Sequence, residues 1–128
     1  MSWSGRCSIR FPLASGVLTG KYRRGEEPPA GTRLGSTPEE RRADQFKAHR
    51  DWALSDRNFE MVEALGAFAT ERGHTLLELA MSWLAGLPKL ASVIAGATSA
   101  AQVRANAGAV GWVLTAADRA EVDRITLR

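Results

Sequence analysis

The run from Leu90 to Ala95 (Leu-Ala-Ser-Val-Ile-Ala) constrains this chain more than any other stretch. Pro88 stands just before it and Gly96 just after it, so it is too short for a helix. Its apolar, β-branched character suits a strand buried in a parallel sheet. A parallel strand needs a partner reached through a crossover connection, usually a helix. The other candidate strand is residues 8–14 (Ser-Ile-Arg-Phe-Pro-Leu-Ala), stopped by Pro12, which has no N–H to give to a ladder.

The residues between these runs supply the crossover. Gly16, Gly20, Gly25, Pro28, Pro29, Gly31 and Gly35 first punctuate a long irregular stretch, a kind that more often carries function than structure. Thr37-Pro38-Glu39-Glu40 reads as an N-cap, a first-turn proline and a capping-box glutamate, opening a short polar surface helix to about Arg50. Ser55 opens a stronger helix to about Arg72, with Phe59, Val62, Leu65, Phe68 and Ala69 on one face and Gly73 at its stop. Thr75 and Glu78 form a second capping box, before a helix that is apolar nearly all round from Leu76 through Trp83 to Leu87.

After the second strand, Thr98 or Ser99 caps a helix to about Ala109, with Val103, Ala107 and Val110 as its inner face. Thr115 opens the last helix, Ala116 to about Ile125, with Val122 and Ile125 turned inward. The order predicts an α/β chain in a βαβα pattern with an extra terminal helix. Two strands covered on one face leave edges unpaired and apolar helix faces bare, so the pattern reads as part of something larger.

Composition narrows the class. The chain has 128 residues, enough for one domain with a core, and its 45% hydrophobic and 24% charged residues are ordinary for a globular protein. No apolar stretch is long enough for a membrane-spanning helix, and residues 1–10 lack the apolar core of a signal peptide. Cys7 is the single cysteine, which excludes an internal disulfide or a multi-cysteine metal site; no metal site is expected. With no His or Asp beside it in sequence, Cys7 reads as an ordinary thiol. A cytoplasmic location is expected, with no membrane partner. The net charge of +3 attracts anions. The arginines are nonetheless scattered among acidic residues, and no helix carries a basic stripe interleaved with aromatics, so nucleic acid is not expected as a partner.

Two stretches carry chemistry. In the first, Phe11 to Tyr22, a short strand runs into a glycine turn that exposes backbone N–H groups, the Ser15 hydroxyl and Lys21. Fixed donors plus a point charge can hold phosphate oxygens, although a glycine-rich surface turn has the same composition. The spacing is not that of a P-loop, since Gly16 and Gly20 are too close and Tyr22 follows the lysine. In the second, Val93 to Asn106, an apolar strand ends at Gly96 and feeds a helix start bearing Thr98 and Ser99. The unpaired N–H groups of a helix start favour an anion. Gln102 and Asn106, four apart, share one face. A plain N-cap with solvated amides would read the same way.

The phrase FPLASGVLTGKY, with PPAGTR a few residues later, resembles the loop after the seventh strand of aldo/keto reductases. SVIAGATSAAQVRANAGA resembles the eighth strand and cofactor helix of that family, TLLELAMSWLAGLP its seventh barrel helix, and WVLTAADRAEVDRI its closing helix. The resemblance implies the C-terminal part of a (β/α)8 TIM barrel over residues 10–128, with residues 1–9 an unassigned leader. It implies an NADP-dependent oxidoreductase interconverting carbonyls and alcohols, with NADPH as cofactor. Ser15 and the backbone around Leu13 and Ala14 would meet the pyrophosphate, and Lys21 would add charge. Arg33 would lie near the adenosine phosphate end, Gly96, Thr98 and Ser99 at the 2′-phosphate, and Gln102 and Asn106 at the adenine. Family members often carry an acidic residue where this chain has Ala105, and several carry arginine at the position of Ser99.

The family's chemistry uses a tyrosine acid with a lysine, an aspartate and a histidine on early barrel strands. The proton donor must reach the developing alkoxide. The single tyrosine, Tyr22, lies inside the cofactor-loop motif, and His49 and His74 read as structural or solvated, so no catalytic residue is assigned. A closed barrel takes roughly 250 residues, so the chain is expected to be a truncated reductase inactive alone. The alternative is a non-catalytic dinucleotide-binding or assembly module, self-associating or completing a barrel with a complementary fragment.

Overall fold

A computed structural model describes residues 7–10, 12–35 and 44–127. Strand β1 (Cys7–Arg10) leads into a 3-10 segment (Ala14–Thr19) and a long loop. Then follow α1 (Asp44–Ala53), α2 (Asp56–Glu71), α3 (Leu76–Ala85), β2 (Leu90–Ile94), α4 (Ala100–Gly108) and α5 (Ala116–Thr126). The strands pair in parallel, with Arg10 opposite Ile94. β1 stops short of the expected Ala14, because Pro12 has no N–H for the ladder and the chain turns at once into the 3-10 segment. The expected helix start at Thr37 to Glu40 lies outside the described residues, as do residues 1–6 of the expected 1–9 leader, while Cys7–Ile9 of that leader belong to β1. Within the described residues, α1 runs on past Arg50 to Ala53, which is buried against Tyr22 and Leu34.

Side-chain caps set the helix starts. Ser55 Oγ accepts from the Asn58 N–H at the head of α2. At α3 the boxed pair is reciprocal: the Glu78 N–H donates to Thr75 Oγ1 at 3.1 Å, and the Thr75 N–H donates to the Glu78 carboxylate at 2.6 Å. Thr115 and Asp118 repeat the arrangement at α5, with an aspartate in place of the usual glutamate. The guanidinium of Arg119 lies against Gly86 at the other end of α3 and donates to the Trp83 carbonyl, a cation at a helix C-terminus.

The main core is built from α2, α3 and α5. Leu65, Phe68 and Ala69 pack with Leu79, Leu114 and Val122, and Leu18, Leu76 and Trp112 lie against them. Ser82 is the buried polar side chain of α3. It donates to the Ala109 carbonyl at 2.7 Å and accepts from the Trp112 N–H, fastening α3 to the turn after α4. His74 stacks on Trp112, with ring centroids 4.1 Å apart and planes 9° from parallel, while Nδ1 faces the Glu78 carboxylate at 3.5 Å. This histidine is structural, at a helix junction.

Two expectations fail on burial. β2 is parallel but not buried: Ala91, Ser92 and Ile94 are exposed. The anticipated inner face of α4 is also exposed, with Val103 at 56% and Val110 at 48%, and Ala107 is open as well. Apolar spacing marks a face able to be covered; among the described residues nothing lies over this one.

The Thr75 N–H, donating to Glu78, holds that carboxyl below the ordinary carboxylate range against the opposing effect of burial. The Thr115 N–H does the same for Asp118, helped by the Thr115 hydroxyl and Arg72. A carboxyl lowered on folding contributes stability that is complete above its unfolded value and lost as pH falls through its folded value. The melting temperature is therefore expected to drop on acidification from pH 7 toward about pH 3, and Glu78→Gln should flatten that slope in thermal melts. Urea melts test the packing: Leu79→Ala should cost about 2–5 kcal/mol, and Val103→Ala no more than about 0.5 kcal/mol.

Candidate functional site

Parallel pairing brings the carboxyl ends of β1 and β2 to the same edge, and a turn leaves each of them there. The turn after β1 is unusual backbone. Ala14 (φ 48°), Ser15 (φ 60°) and Gly16 (φ 92°) are successive left-handed residues, which costs an L-residue roughly 1–2 kcal/mol each. Hydrogen bonds hold it. The N–H groups of Gly16 and Leu18 donate to the Leu13 carbonyl at 2.9 and 3.2 Å, and Thr19 Oγ1 donates to the Gly16 carbonyl at 2.7 Å. The Tyr22 hydroxyl donates to the Ser15 carbonyl at 3.0 Å and accepts from the Leu34 N–H at 3.4 Å. Tyr22 is thus a buried staple between turn and loop, well placed for structure and poorly placed for proton transfer.

Gly16 answers a second need. A Cβ there would stand 2.8 Å from Lys21 Nζ, so only glycine lets the lysine lie across the turn. After β2, Ser99 is the cap of α4, its Oγ accepting from the Gln102 N–H at 3.2 Å. Gln102 Oε1 accepts from the Thr98 N–H at 2.7 Å and from Thr98 Oγ1 at 3.1 Å, which pins the chain as it enters the helix. Arg33 arrives from the long loop, its guanidinium 3.4 Å from where a Cβ on Gly96 would sit.

The two turns and the loop enclose one cleft of about 440 Å³. Leu13, Ser15, Lys21, Arg33, Gly96, Thr98, Gln102 and Asn106 all line it; Ala14 and Ser99 do not. Ala14 instead opens the left-handed turn and Ser99 caps α4. A larger groove of about 720 Å³ lies between α2 and α5, where Arg72 is already paired with Asp118 and Arg124 with Glu121. The smaller cleft gathers Lys21 and Arg33 with the hydroxyls of Ser15 and Thr98 and the amides of Gln102 and Asn106, a mixture suited to an anion.

Sequence reasoning missed one residue. His49, expected to be structural or solvated, is exposed on α1 and also places Nε2 3.1 Å from Ser15 Oγ, beside the cleft. The two residues are 34 apart in sequence and meet only because α1 packs on the 3-10 segment, so no local pattern could announce the contact. No cluster of His, Cys, Asp and Glu fit for a metal ion occurs among the described residues.

The family model for aldo/keto reductases matches residues 8–126. The chain belongs to the aldo/keto reductase family. It is 39% identical over 99 residues to a probable voltage-gated potassium channel subunit beta of Arabidopsis thaliana, covering 77% of this chain and 28% of that protein. A similar protein of Oryza sativa, with the same description, is 39% identical over 95 residues, covering 74% of this chain and 26% of that protein. The L-glyceraldehyde 3-phosphate reductase of Escherichia coli is 31% identical over 104 residues, covering 81% of this chain and 28% of that protein. The chain thus spans little more than a quarter of the length of these aldo/keto reductase relatives.

Glycine chemistry at the site can be checked against a helical control. Gly16→Ala should destabilise by more than about 1 kcal/mol through left-handed strain, while the flexible end of Lys21 moves aside. Gly66→Ala, inside α2 with open space for a methyl group, should stabilise by about 0.5–1 kcal/mol. Equal effects of the two substitutions in denaturant melts would contradict the strained-turn geometry.

Proposed function

We propose that this chain forms the cofactor-phosphate end of an NADP-dependent aldo/keto reductase. The observation that carries the reading is the single cleft in which both phosphate-suited motifs meet, with Lys21 and Arg33 on its walls. The residues fit the group. The cleft falls within the range of about 300–1,000 Å³ usual for small-molecule sites, suited in scale to part of an extended dinucleotide. Ser15 and the backbone at Leu13 hold the diphosphate, with Lys21 as its counter-charge and Ala14 shaping the turn between them. Gly96 and Thr98 lie toward the 2′-phosphate with Arg33 nearby, Ser99 caps the helix behind them, and Gln102 and Asn106 lie toward the adenine. NADPH, when bound, supplies the hydride for carbonyl–alcohol interconversion.

The reading assigns this chain binding without chemistry. A catalytic acid must reach the substrate oxygen, and Tyr22 is buried with its hydroxyl engaged by Ser15 and Leu34. β1 and β2 then correspond to the last two strands of a (β/α)8 barrel, and their free edges suit strands from a complementing fragment or a second copy. A non-catalytic dinucleotide-binding or assembly module is the second reading, favoured by the same engaged tyrosine. A cytoplasmic setting suits both, and no helix among the described residues is long and apolar enough to cross a membrane.

Titration with NADPH, followed by tryptophan fluorescence from Trp52, Trp83 and Trp112, tests the binding. Saturation is expected below millimolar cofactor, and Lys21→Ala and Arg33→Ala should each weaken it about tenfold or more. The chain alone should not reduce simple aldehydes. A flat titration to millimolar NADPH would remove the cofactor reading, and turnover by the chain alone would remove the non-catalytic one.

A further inference from the structure

His49 is an exposed residue of α1 with two neighbours. Its ring centroid lies 5.9 Å from that of Trp52 on the same helix, and its Nε2 lies 3.1 Å from Ser15 Oγ on the cleft wall. The hydroxyl of a serine has one proton to give and two lone pairs to receive with. To hold a phosphate oxygen, Ser15 must aim that proton into the cleft, so the histidine nitrogen facing it must be a donor. A neutral imidazole satisfies this in only one of its tautomers. An imidazolium satisfies it always, and adds a positive charge behind the hydroxyl.

Building on the dinucleotide reading above, we propose that His49 is a positioning residue of the phosphate site. Its protonated ring donates Nε2–H to Ser15 Oγ, turns the hydroxyl proton toward a diphosphate oxygen, and so couples cofactor binding to proton uptake from solvent. Ser15 itself is fixed for this task by its left-handed backbone and by the Tyr22 hydroxyl on its carbonyl. His49 therefore acts on the direction of one hydroxyl rather than on the shape of the turn.

The groups around the ring leave a clean signal. The 3-10 segment under α1, Ala14–Thr19, carries no ionisable side chain. The loop contributes Lys21 and Glu27, the latter paired with Arg50 at 2.7 Å. α1 itself carries Asp44, Lys47, Arg50 and Asp51, with Lys47 and Asp51 paired at 2.7 Å. From α2, Asp56 and Glu63 face Arg24. Of these residue types only histidine changes charge near neutrality. Reciprocal linkage then fixes the sign: if binding favours the protonated ring, affinity falls as pH rises through the imidazole range.

The probe is NADH, because the 2′-phosphate monoester of NADPH titrates near neutrality in its own right and the diphosphate diester does not. In the full 128-residue chain, the Kd for NADH is expected to be about tenfold lower at about pH 5.5 than at about pH 8. His49→Gln, which retains an N–H donor, should bind NADH with little slope, and His74→Gln should keep the slope of the parent. In proton–carbon NMR spectra, adding NADH should move the ring signals of His49 and leave those of His74 in place. Binding with a flat pH profile, or an undiminished slope in His49→Gln, overturns the role of His49 while leaving the phosphate cleft standing. No saturable NADH binding at any pH removes the cleft reading and this inference together.

Discussion

Parallel pairing of β1 with β2 is the constraint on which the site depends. Strands paired in parallel end at the same edge, so the turns after Arg10 and after Ile94 emerge side by side. Had the pairing been antiparallel, the Gly16 turn and the Gly96 turn would lie at opposite ends of the sheet and no shared cleft could form. The same pairing obliges the chain to cross over between the strands, and that crossover carries α2 and α3 of the main core. α3 packs on α2, on β2, on α4 and on the 3-10 segment, so the element that closes the core also seats the phosphate turn.

That turn spends conformational energy to present its groups. Two L-residues in the left-handed region cost roughly 1–2 kcal/mol each, an amount that a few hydrogen bonds, net about 0.5–1.5 kcal/mol apiece, can offset. Leu13, Thr19 and Tyr22 supply those bonds. A turn held this way is already shaped before a ligand arrives, and Tyr22 ties its shape to the loop that delivers Arg33. Strain of this kind gathers where a backbone must meet a ligand closely, in keeping with the proposed phosphate contacts.

Burial is unevenly shared. α2, α3 and α5 enclose a core, and on its flank the Arg72 guanidinium lies 3.8 Å from the Phe68 ring centroid, with Trp112 and His74 stacked beyond. α4 has no buried residue, and β2 is largely open. Under the proposed barrel these are surfaces that further strands and helices would cover, which accounts for their apolar composition and for the chain matching little more than a quarter of its relatives' length.

Local chemistry made much of this legible. Ser55, Thr75 and Thr115 mark helix starts because a side-chain oxygen can meet orphan N–H groups only there, and Gly96 before a hydroxyl pair announces a strand entering a helix. Both phosphate-suited motifs could be read as short stretches of sequence, since each depends on residues a few positions apart. Three things lay beyond that reach. The exposure of Val103 and Val110 depends on what lies over a face, which periodicity does not encode. The distance of Arg33 from Gly96 depends on how a long loop folds, and His49 beside Ser15 on how α1 packs on the 3-10 segment, since these partners are distant in sequence. The amino-acid sequence alone determined the elements, their caps and the family, because these rest on local hydrogen bonding and residue pattern. Only the tertiary structure decided which side chains share the cleft, because parallel pairing and the Tyr22 staple act between residues far apart along the chain.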